Sequence, residues 1–311
     1  MTLRFITADV FTNRPFTGNQ VAVIPDAREI PEELLLPIAR EFNYSETTFV
    51  YPPDDPAHTR RVRIFTPGAE IPFAGHPTIG TAVVLAAIGE IPLTGSETRI
   101  VLEENVGPVP VTIRADDGVA VGAQLSVAKL PEVGPPPPAR TTLASMLSLE
   151  PSQLLGGPNG PQAVSCGIPY LIVPVKDRAA VAAARIRMDV WESTLKRYWA
   201  PDVMVVARDP ELPDSDLHAR VFVPGWAITE DPATGSCAAS LAGYLAARET
   251  APNGTFRWVM EQGFEMGRPS ILELEADKRD GKVIAVRVGG DAIVVSEGEI
   301  GRSALSAPLP S

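Results

Sequence analysis

One motif occurs twice in this sequence, and the duplication limits the folds open to the chain. The first copy, Arg63–Gly80, reads R-I-F-T-P-G-A-E-I-P-F-A-G-H-P-T-I-G, and the second, Arg220–Gly235, reads R-V-F-V-P-G-W-A-I-T-E-D-P-A-T-G. An apolar helix of small residues is expected after each copy. Aligning Arg63 with Arg220 (220 − 63 = 157) and His76 with Asp231 (231 − 76 = 155) makes the second copy two residues shorter.

Weaker matches extend the repeat in the same order. Gly18–Ile24 resembles Gly167–Val173, and Glu46–Val50 resembles Asp202–Val206. The copies are about half the chain apart, which indicates a duplicated domain with a pseudo-twofold relation and not a short-period solenoid.

Composition sets further limits on the chain. Its 311 residues suit two domains of about 150 residues each, and 45% hydrophobic with 21% charged residues is typical of a globular protein. A net charge of −11 argues against nucleic acid as a partner. No apolar run reaches the roughly 18–20 residues of a membrane helix, and the N-terminus lacks signal-peptide features. Two cysteines provide no disulfide framework, so we expect a cytoplasmic protein.

The hydrophobic pattern predicts many strands and one small-residue helix in each half. A helix at Pro31–Phe42 should kink or start late at Pro37. The proline-rich stretch 127–140 predicts an extended linker, so we expect domains at 1–126 and 141–311, with the last strands able to cross back to the first domain. Because a helix rich in Ala and Gly can lie close to strands, the expected class is α+β. The sheet of each half would curl around its central helix.

The two helix starts are the first candidates for chemistry. We expect His76-Pro77 and Asp231-Pro232 to begin the motif helices, whose free N–H groups form a positive dipole end. Small residues at Gly75, Gly80, Gly235 and Ser236 would let an anionic group approach this backbone. The alternatives are an ordinary N-cap for Asp231 and a hydrogen-bonded structural histidine for His76.

Glu46 is the third candidate. It lies in Asn43–Phe49, where an amphipathic helix passes into an apolar strand. A carboxylate beside a buried strand can have a raised pKa and act as an acid or base near neutral pH, whereas the alternative is a solvated loop glutamate.

Other kinds of site receive little support. The histidines His58, His76 and His218 have no partner at metal-ligand spacing, although scattered carboxylates leave an oxygen-ligand site open. The sequence has no Walker A loop, dinucleotide fingerprint or serine-hydrolase elbow. Cys237 is either a nucleophile or a small core residue. We therefore expect neither a metal nor a cofactor.

Five blocks in order resemble the PhzF-like family of phenazine biosynthesis, which has the diaminopimelate epimerase-like fold. The blocks are Asp9–Val23, Ala39–Val50, Arg63–Gly80, Glu230–Ser236 and Glu261–Ser270. The resemblance implies two similar domains, each a barrel-like sheet around a central helix, with the active site in the cleft of the two domains. It also implies a homodimer and cofactor-independent isomerisation. Two residues differ from the family pattern: Gln20 replaces the usual proline after Gly18-Asn19, and Pro232 replaces a small residue after the aspartate. These differences bear on the identity of the substrate more than on the type of reaction.

The resemblance also implies roles for residues. Glu46 would shuttle a proton, and His76 and Asp231 would orient and polarise the substrate. Ser45, Gly75, Gly235 and Ser236 would bind it. The thiol positions of related epimerases fall on Ala74 and Pro232 in this alignment, which disfavours a two-thiol mechanism.

The sequence therefore predicts an isomerase that moves a proton between carbons of a small, carboxylate-bearing, cyclic substrate. An epimerase or dehydratase using the same carboxylate is the first alternative. A non-catalytic small-molecule-binding protein is the second. No nucleic acid or membrane partner is expected.

Overall fold

The computed structural model describes residues 2–226 and 228–301, and only the backbone of residues 226 and 228. The chain forms two compact units, one reaching to Leu125 and resuming at Gly290, the other spanning Ser126–Gly289. The predicted division at 126 lies next to this boundary. The stretch 127–140, however, belongs to the second unit and is not a separate linker. The chain from Gly290 on belongs to the first unit, a return of the last strands that the sequence allowed.

Among the described residues, the first unit contains the first eight strands, except for the last residue of the eighth, and two helices. The end of the last strand also belongs to it. The strands are β1 (Leu3–Val10), β2 (Asn19–Ile24), β3 (Glu46–Tyr51), β4 (Arg60–Phe65), β5 (Glu70–Ile71), β6 (Glu97–Glu104), β7 (Gly107–Asp116) and β8 (Val119–Ser126). The helices are α1 (Glu32–Phe42) and α2 (Gly75–Ala87). Helix α1 continues past Pro37, so the late start considered from the sequence is wrong.

The second unit contains four helices and the remaining strands. The helices are α3 (Arg140–Met146), α4 (Arg178–Ala183), α5 (Met188–Thr194) and α6 (Gly235–Ala246). The strands are β9 (Glu132–Val133), β10 (Gln162–Ser165), β11 (Pro169–Pro174), β12 (Asp202–Ala207), β13 (Leu217–Val223), β14 (Ile228–Asp231), β15 (Gly254–Gln262), β16 (Ser270–Arg279) and β17 (Lys282–Ile300). Short 3₁₀ turns lie at 151–153, 157–159, 224–226 and 264–266.

Eight strands close a barrel in the first unit. Neighbouring strands pair in the order β1-β2-β3-β4-β6-β7-β8-β17, and β17 returns to β1. The end of β17 pairs antiparallel with β1, from Val10 opposite Ala292 to Leu3 opposite Ile300. This return explains why the chain from Gly290 on lies in the first unit. A closed barrel leaves no unpaired strand edge exposed along its ring.

The second unit repeats this strand pattern. In the first unit β1–β2 is antiparallel, β2–β3 parallel, β3–β4 antiparallel and β4–β6 parallel. In the second unit β10–β11, β11–β12, β12–β13 and β13–β15 follow the same sequence of directions. The duplication read from the sequence is therefore a structural repeat, and the expected α+β class with a sheet around a helix in each unit is confirmed.

One helix in each unit is almost completely buried. All residues of α2 from Gly75 to Ala86 are buried, as are those of α6 apart from the partly exposed Ser236. Both helices lack acidic and basic residues in their terminal turns. Since a helix that is apolar all round must be surrounded by other elements, α2 and α6 are the central helices that the sheets enclose.

An arginine is held in the same way in both copies of the motif. Arg63 makes a bidentate pair with Glu70 at 2.8 and 2.7 Å, and Arg220 makes one with Glu230 at 2.8 Å for both bonds. Arg220 also donates to three carbonyl groups at the end of α4. These pairs join β4 to β5 and β13 to β14, the strands that lead into the central helices.

The structure corrects the alignment of the two motif copies. Central helices α2 and α6 start at Gly75 and Gly235, an offset of 235 − 75 = 160. Since Arg63 and Arg220 differ by 157, the second copy is three residues longer, not two shorter. His76 therefore corresponds to Ser236, and Asp231 corresponds to Ile71: Ile71 pairs with Ile64 and Asp231 with Val221.

No helix in ranges 2–226 and 228–301 is both long and apolar enough to cross a membrane.

Candidate active site

The start of each central helix presents backbone donors that have no acceptor within the helix. The N-cap residues are Ala74 for α2 and Thr234 for α6, and neither side chain accepts a bond from the first turn. Gly75 and Gly235 are the first residues of the two helices, where four N–H groups have no intrahelical acceptor. An anionic oxygen would be stabilised at either helix start.

Glu46 and His76 lie together in the first unit. Glu46 is the first residue of β3 and His76 the second residue of α2. His76 Nε2 lies 3.3 Å from Glu46 Oε2, and both side chains are largely buried, at 4% and 15% exposure. The sequence motif and the separate loop glutamate are therefore brought to one place, with Ser45 directly before Glu46.

The hydrogen bonds of His76 define its tautomer. Its Nε2 lies 3.1 Å from the backbone oxygen of Gln20, which can only accept, so Nε2 carries the proton. Its Nδ1 lies 3.4 Å from the Asn19 side-chain nitrogen and accepts from it. Burial lowers the pKa of His76 to about 3, although the bond to Gln20 opposes this shift. His76 is thus a neutral ring whose Nε2–H donates to the Gln20 backbone oxygen, and the Glu46 carboxylate lies 3.3 Å from the same nitrogen.

Asp231 is the last residue of β14. The expectation that it begins the second motif helix is therefore wrong. Its Oδ2 accepts a 2.6 Å bond from the Thr234 hydroxyl. Its backbone oxygen accepts a 2.7 Å bond from the side chain of Gln262. Gln262 also bonds the backbone N–H and the hydroxyl of Thr234. The carboxylate is therefore fixed against the N-cap of α6.

Ser236, the second residue of α6, pairs with a tyrosine. The Tyr170 hydroxyl lies 2.8 Å from Ser236 Oγ, and Tyr170 is only 3% exposed. Burial, with smaller contributions from nearby acidic groups that include Asp202 and Asp231, raises the pKa of Tyr170 well above its ordinary value. Tyr170 therefore stays protonated and can direct the Ser236 hydroxyl by donating to it.

Cys237 is a core residue and not a nucleophile. Its side chain is fully buried in α6, and burial raises the pKa of the thiol well above its ordinary value. Burial also raises the pKa of Cys166 to about 12. A buried thiol that stays protonated is a poor nucleophile.

Sequence reasoning missed several members of the site. Thr234 and Gln262 lie inside two of the blocks that resemble the family, Glu230–Ser236 and Glu261–Ser270. Nothing in their spacing predicted that their side chains form a hydrogen bond. Asp202 was matched with Glu46 without being singled out, and the registers confirm the match: Glu46 pairs with Val21, and Asp202 with Tyr170. The repeat was the signal that could have identified Asp202 and Tyr170.

Within the part of the chain that the structure describes, no group of three or more His, Cys, Asp or Glu side chains is arranged to hold a metal ion.

The duplicated fold, with one buried helix in each unit, is the epimerase-like fold. The family model described as phenazine biosynthesis-like protein matches residues 8–298, and the chain belongs to this family. An uncharacterised isomerase of Mesorhizobium japonicum is 39% identical over 303 residues, covering 96% of this chain and 99% of that protein.

Two further relatives agree with this assignment. The trans-2,3-dihydro-3-hydroxyanthranilate isomerase of Pseudomonas aeruginosa is 32% identical over 304 residues, with 95% of this chain and 98% of that protein covered. The crystal structure of a PhzF-family phenazine biosynthesis protein from Bacillus anthracis superposes with a TM-score of 0.85 at 25% identity, covering 96% and 99% of the two chains. The predicted isomerase class is therefore confirmed by the names of its relatives.

Proposed function

We propose that this protein is a cofactor-independent isomerase that moves a proton between carbons of a small, cyclic, carboxylate-bearing substrate. The substrate class is taken from the Pseudomonas aeruginosa relative, whose name specifies a dihydro-hydroxyanthranilate. The observation that carries the proposal is the 3.3 Å contact of the Glu46 carboxylate with the neutral His76 ring.

Glu46 is the acid/base in this proposal. Its carboxylate takes a proton from one ring carbon, the electron pair of that C–H bond moves into the ring, and the protonated Glu46 returns the proton to another carbon. Atoms and charge balance with no redox partner. Because His76 Nε2 carries a proton and Nδ1 accepts from Asn19, His76 cannot readily act as the base. Its role is to position the Glu46 carboxylate, which it contacts at 3.3 Å.

The remaining predicted residues bind substrate. The N–H groups at Gly75 and Gly235, at the helix starts, stabilise a carboxylate or the oxyanion that develops during transfer. Asp231 accepts a hydrogen bond from a substrate amine or hydroxyl, and Ser236, directed by Tyr170, supplies a further polar contact. Ser45 lies beside the acid/base and contacts the same end of the substrate.

Product analysis tests this proposal. Incubation with trans-2,3-dihydro-3-hydroxyanthranilate and related cyclic acids should give a product with a shifted double bond, identified by NMR. Stereoinversion would support an epimerase, and loss of water a dehydratase. Saturable binding of these acids without any product would support a non-catalytic binding protein and contradict the proposal.

A further inference from the structure

The two residues Glu104 and Gln262 occupy equivalent places in the repeat. Each ends the strand that follows a central helix, and each is preceded by a glutamate that binds a loop. Glu103 accepts from the backbone N–H groups of Asp54 and Asp55, and Glu261 from those of Glu211 and Leu212. The registers agree, since Arg61 pairs with Glu103 and His218 with Glu261.

Successive side chains of a strand point to opposite faces, so Glu104 and Gln262 face away from these loops. Both bond a threonine in the start of their central helix. Glu104 Oε1 lies 2.5 Å from the Thr78 hydroxyl, and Gln262 Nε2 lies 3.0 Å from the Thr234 hydroxyl. Glu104 is 6% exposed and Gln262 is fully buried.

In each unit the hydroxyl of this threonine also donates a hydrogen bond to a second acceptor. The Thr234 hydroxyl donates to Asp231 Oδ2 at 2.6 Å, while Gln262 donates to Thr234. The Thr78 hydroxyl donates to the Ala74 backbone oxygen at 2.6 Å. A hydroxyl has one proton, so Thr78 cannot also donate to Glu104. Two oxygen atoms, of Ala74 and Glu104, lie within hydrogen-bond distance of this one hydroxyl, and we infer that the second proton belongs to the carboxylic acid of Glu104.

The surroundings of Glu104 favour this neutral form. Its Oε2 is buried without a hydrogen-bond partner among the described residues, which would be costly for a carboxylate. Burial raises the pKa of Glu104 to about 8. Glu103, the adjacent acid, faces His58 on the other side of the strand, and His76, in the same helix turn as Thr78, is neutral.

We propose that Glu104 acts as an uncharged acid that holds the start of α2 in the way that the Gln262 amide holds the start of α6. Both are positioning residues: Glu104 fixes Ala74 and Thr78, which flank Gly75 and His76, and Gln262 fixes Thr234 and through it Asp231. Their effect on catalysis rests on the proposed function, whereas the protonation of Glu104 does not.

The protonation can be measured directly on the wild-type protein. Carboxyl ¹³C NMR with labelled glutamate, assigned with the variant Glu104→Gln, should show one side chain still protonated at pH 7. A Glu104 carboxyl that is ionised at pH 6 would overturn the proposal.

Stability provides a second test. The unfolded-state pKa of Glu104 is near 4.5 and the folded value is raised, so its stabilising contribution is complete below pH 4.5 and falls as the pH rises towards 8. The melting temperature of Glu104→Gln relative to wild type should therefore rise from pH 5 to pH 8. The variant Gln262→Glu should show the converse, losing stability over a similar range. A difference that is independent of pH in both variants would contradict the inference.

Catalysis tests the positioning role. Glu104→Leu should lower kcat about tenfold with little change in KM, and Glu104→Gln should restore most of that loss because its amide also donates to Thr78. If Glu104→Gln is as impaired as Glu104→Leu, the positioning role fails. If wild type turns over no substrate, the proposed function fails, and the NMR and stability tests still decide the protonation of Glu104.

Discussion

Two buried histidines have opposite electrostatic surroundings. His218 bonds Glu261 at 2.7 Å through Nδ1 and Glu265 at 2.9 Å through Nε2, so both ring nitrogens donate to carboxylates. Burial lowers the pKa of His218, but the bonds to Glu265 and Glu261 outweigh it and raise the pKa. His76 has no such partner pair, and burial lowers its pKa to about 3.

We predict that these two rings titrate in opposite directions from an ordinary histidine. His76 should remain neutral down to about pH 4, so its contribution to stability is present above pH 6.5 and is lost as the pH falls towards 3. His218 should remain charged above pH 6.5, and its contribution is lost as the pH rises through its raised pKa. Imidazole ¹⁵N shifts recorded from pH 4 to pH 8 check both. A His76 ring that is cationic at pH 6 would contradict the neutral form assigned to it.

The hydroxyl of Thr234 should matter for activity. Its 2.6 Å bond to Asp231 is of the charge-assisted kind, which contributes about 1.5–3 kcal/mol. Thr234→Val keeps the shape and removes the donor, so kcat/KM should fall about ten- to hundredfold. Thr234→Ser, which keeps the hydroxyl, is the control and should remain within a few fold of wild type. Equal activity of the two variants would mean that Asp231 needs no support from this residue.

For individual residues, the sequence predicted which side chains are candidates for the site better than it predicted which of them are in contact. Glu46 and His76 are 30 positions apart in sequence, and the chain folds them to 3.3 Å. The sequence could not show that Thr234 and Gln262 hold Asp231. Thr234 and Gln262 are 28 positions apart, and they come together when β15 pairs with β13. Their roles in catalysis remain predictions.

Helix α2 is packed against its sheet at a glycine. A methyl group added at Gly80 would lie 2.6 Å from Val21 Cγ1 and 2.8 Å from Val10 Cγ2, on strands β2 and β1. Such contacts are too short for carbon atoms, so either the helix or the strands must move. The equivalent position in α6, at an offset of 160, is Ser240, which is fully buried. The second unit therefore accommodates a side chain at the position where the first unit has Gly80.

Gly80→Ala should destabilise the protein by about 1–3 kcal/mol, as overpacking of a well-packed core does. The matched control is Gly68→Ala, where the added methyl group meets only the Thr66 hydroxyl, at 3.6 Å. Thermal unfolding should give a clearly lower melting temperature for Gly80→Ala and little change for Gly68→Ala. Equal melting temperatures would contradict the tight packing of α2.

The elements show where sequence reasoning succeeds and where it fails. Alternating and continuous apolar runs identified the strands β1, β2, β3 and β4, because these are long enough to carry a pattern. The two-residue strands β5 and β9 carry no period, so they were missed. The alignment of the repeat was wrong because three extra residues lie before Glu230, and matching His76-Pro77 to Asp231-Pro232 placed the gap incorrectly.

For the whole molecule, the duplication was the most informative signal. It correctly indicated two similar α+β units, since the same strand directions recur in both. The sequence allowed the last strands to cross back to the first domain, but the duplication alone did not show that β17 is the strand that begins in one unit and ends in the other.

The homodimer expected from the family resemblance remains a prediction. One contact repeated about a twofold axis closes and does not propagate, so a single species of twice 33.1 kDa, 66.2 kDa, is expected. Size-exclusion chromatography with light scattering measures this mass. A species of 33 kDa at micromolar concentration would contradict the expectation.

The central claim is that Glu46 transfers the proton, and deuterium exchange tests it most directly. The protein is incubated in D₂O with trans-2,3-dihydro-3-hydroxyanthranilate and related cyclic acids, beside the isosteric variant Glu46→Gln. NMR should show deuterium entering a ring carbon with wild type, and at a rate at least 10²–10⁴-fold lower with Glu46→Gln, the range of positioned acid/base catalysis. Exchange that continues at the wild-type rate in Glu46→Gln would assign the base to another residue and contradict the account.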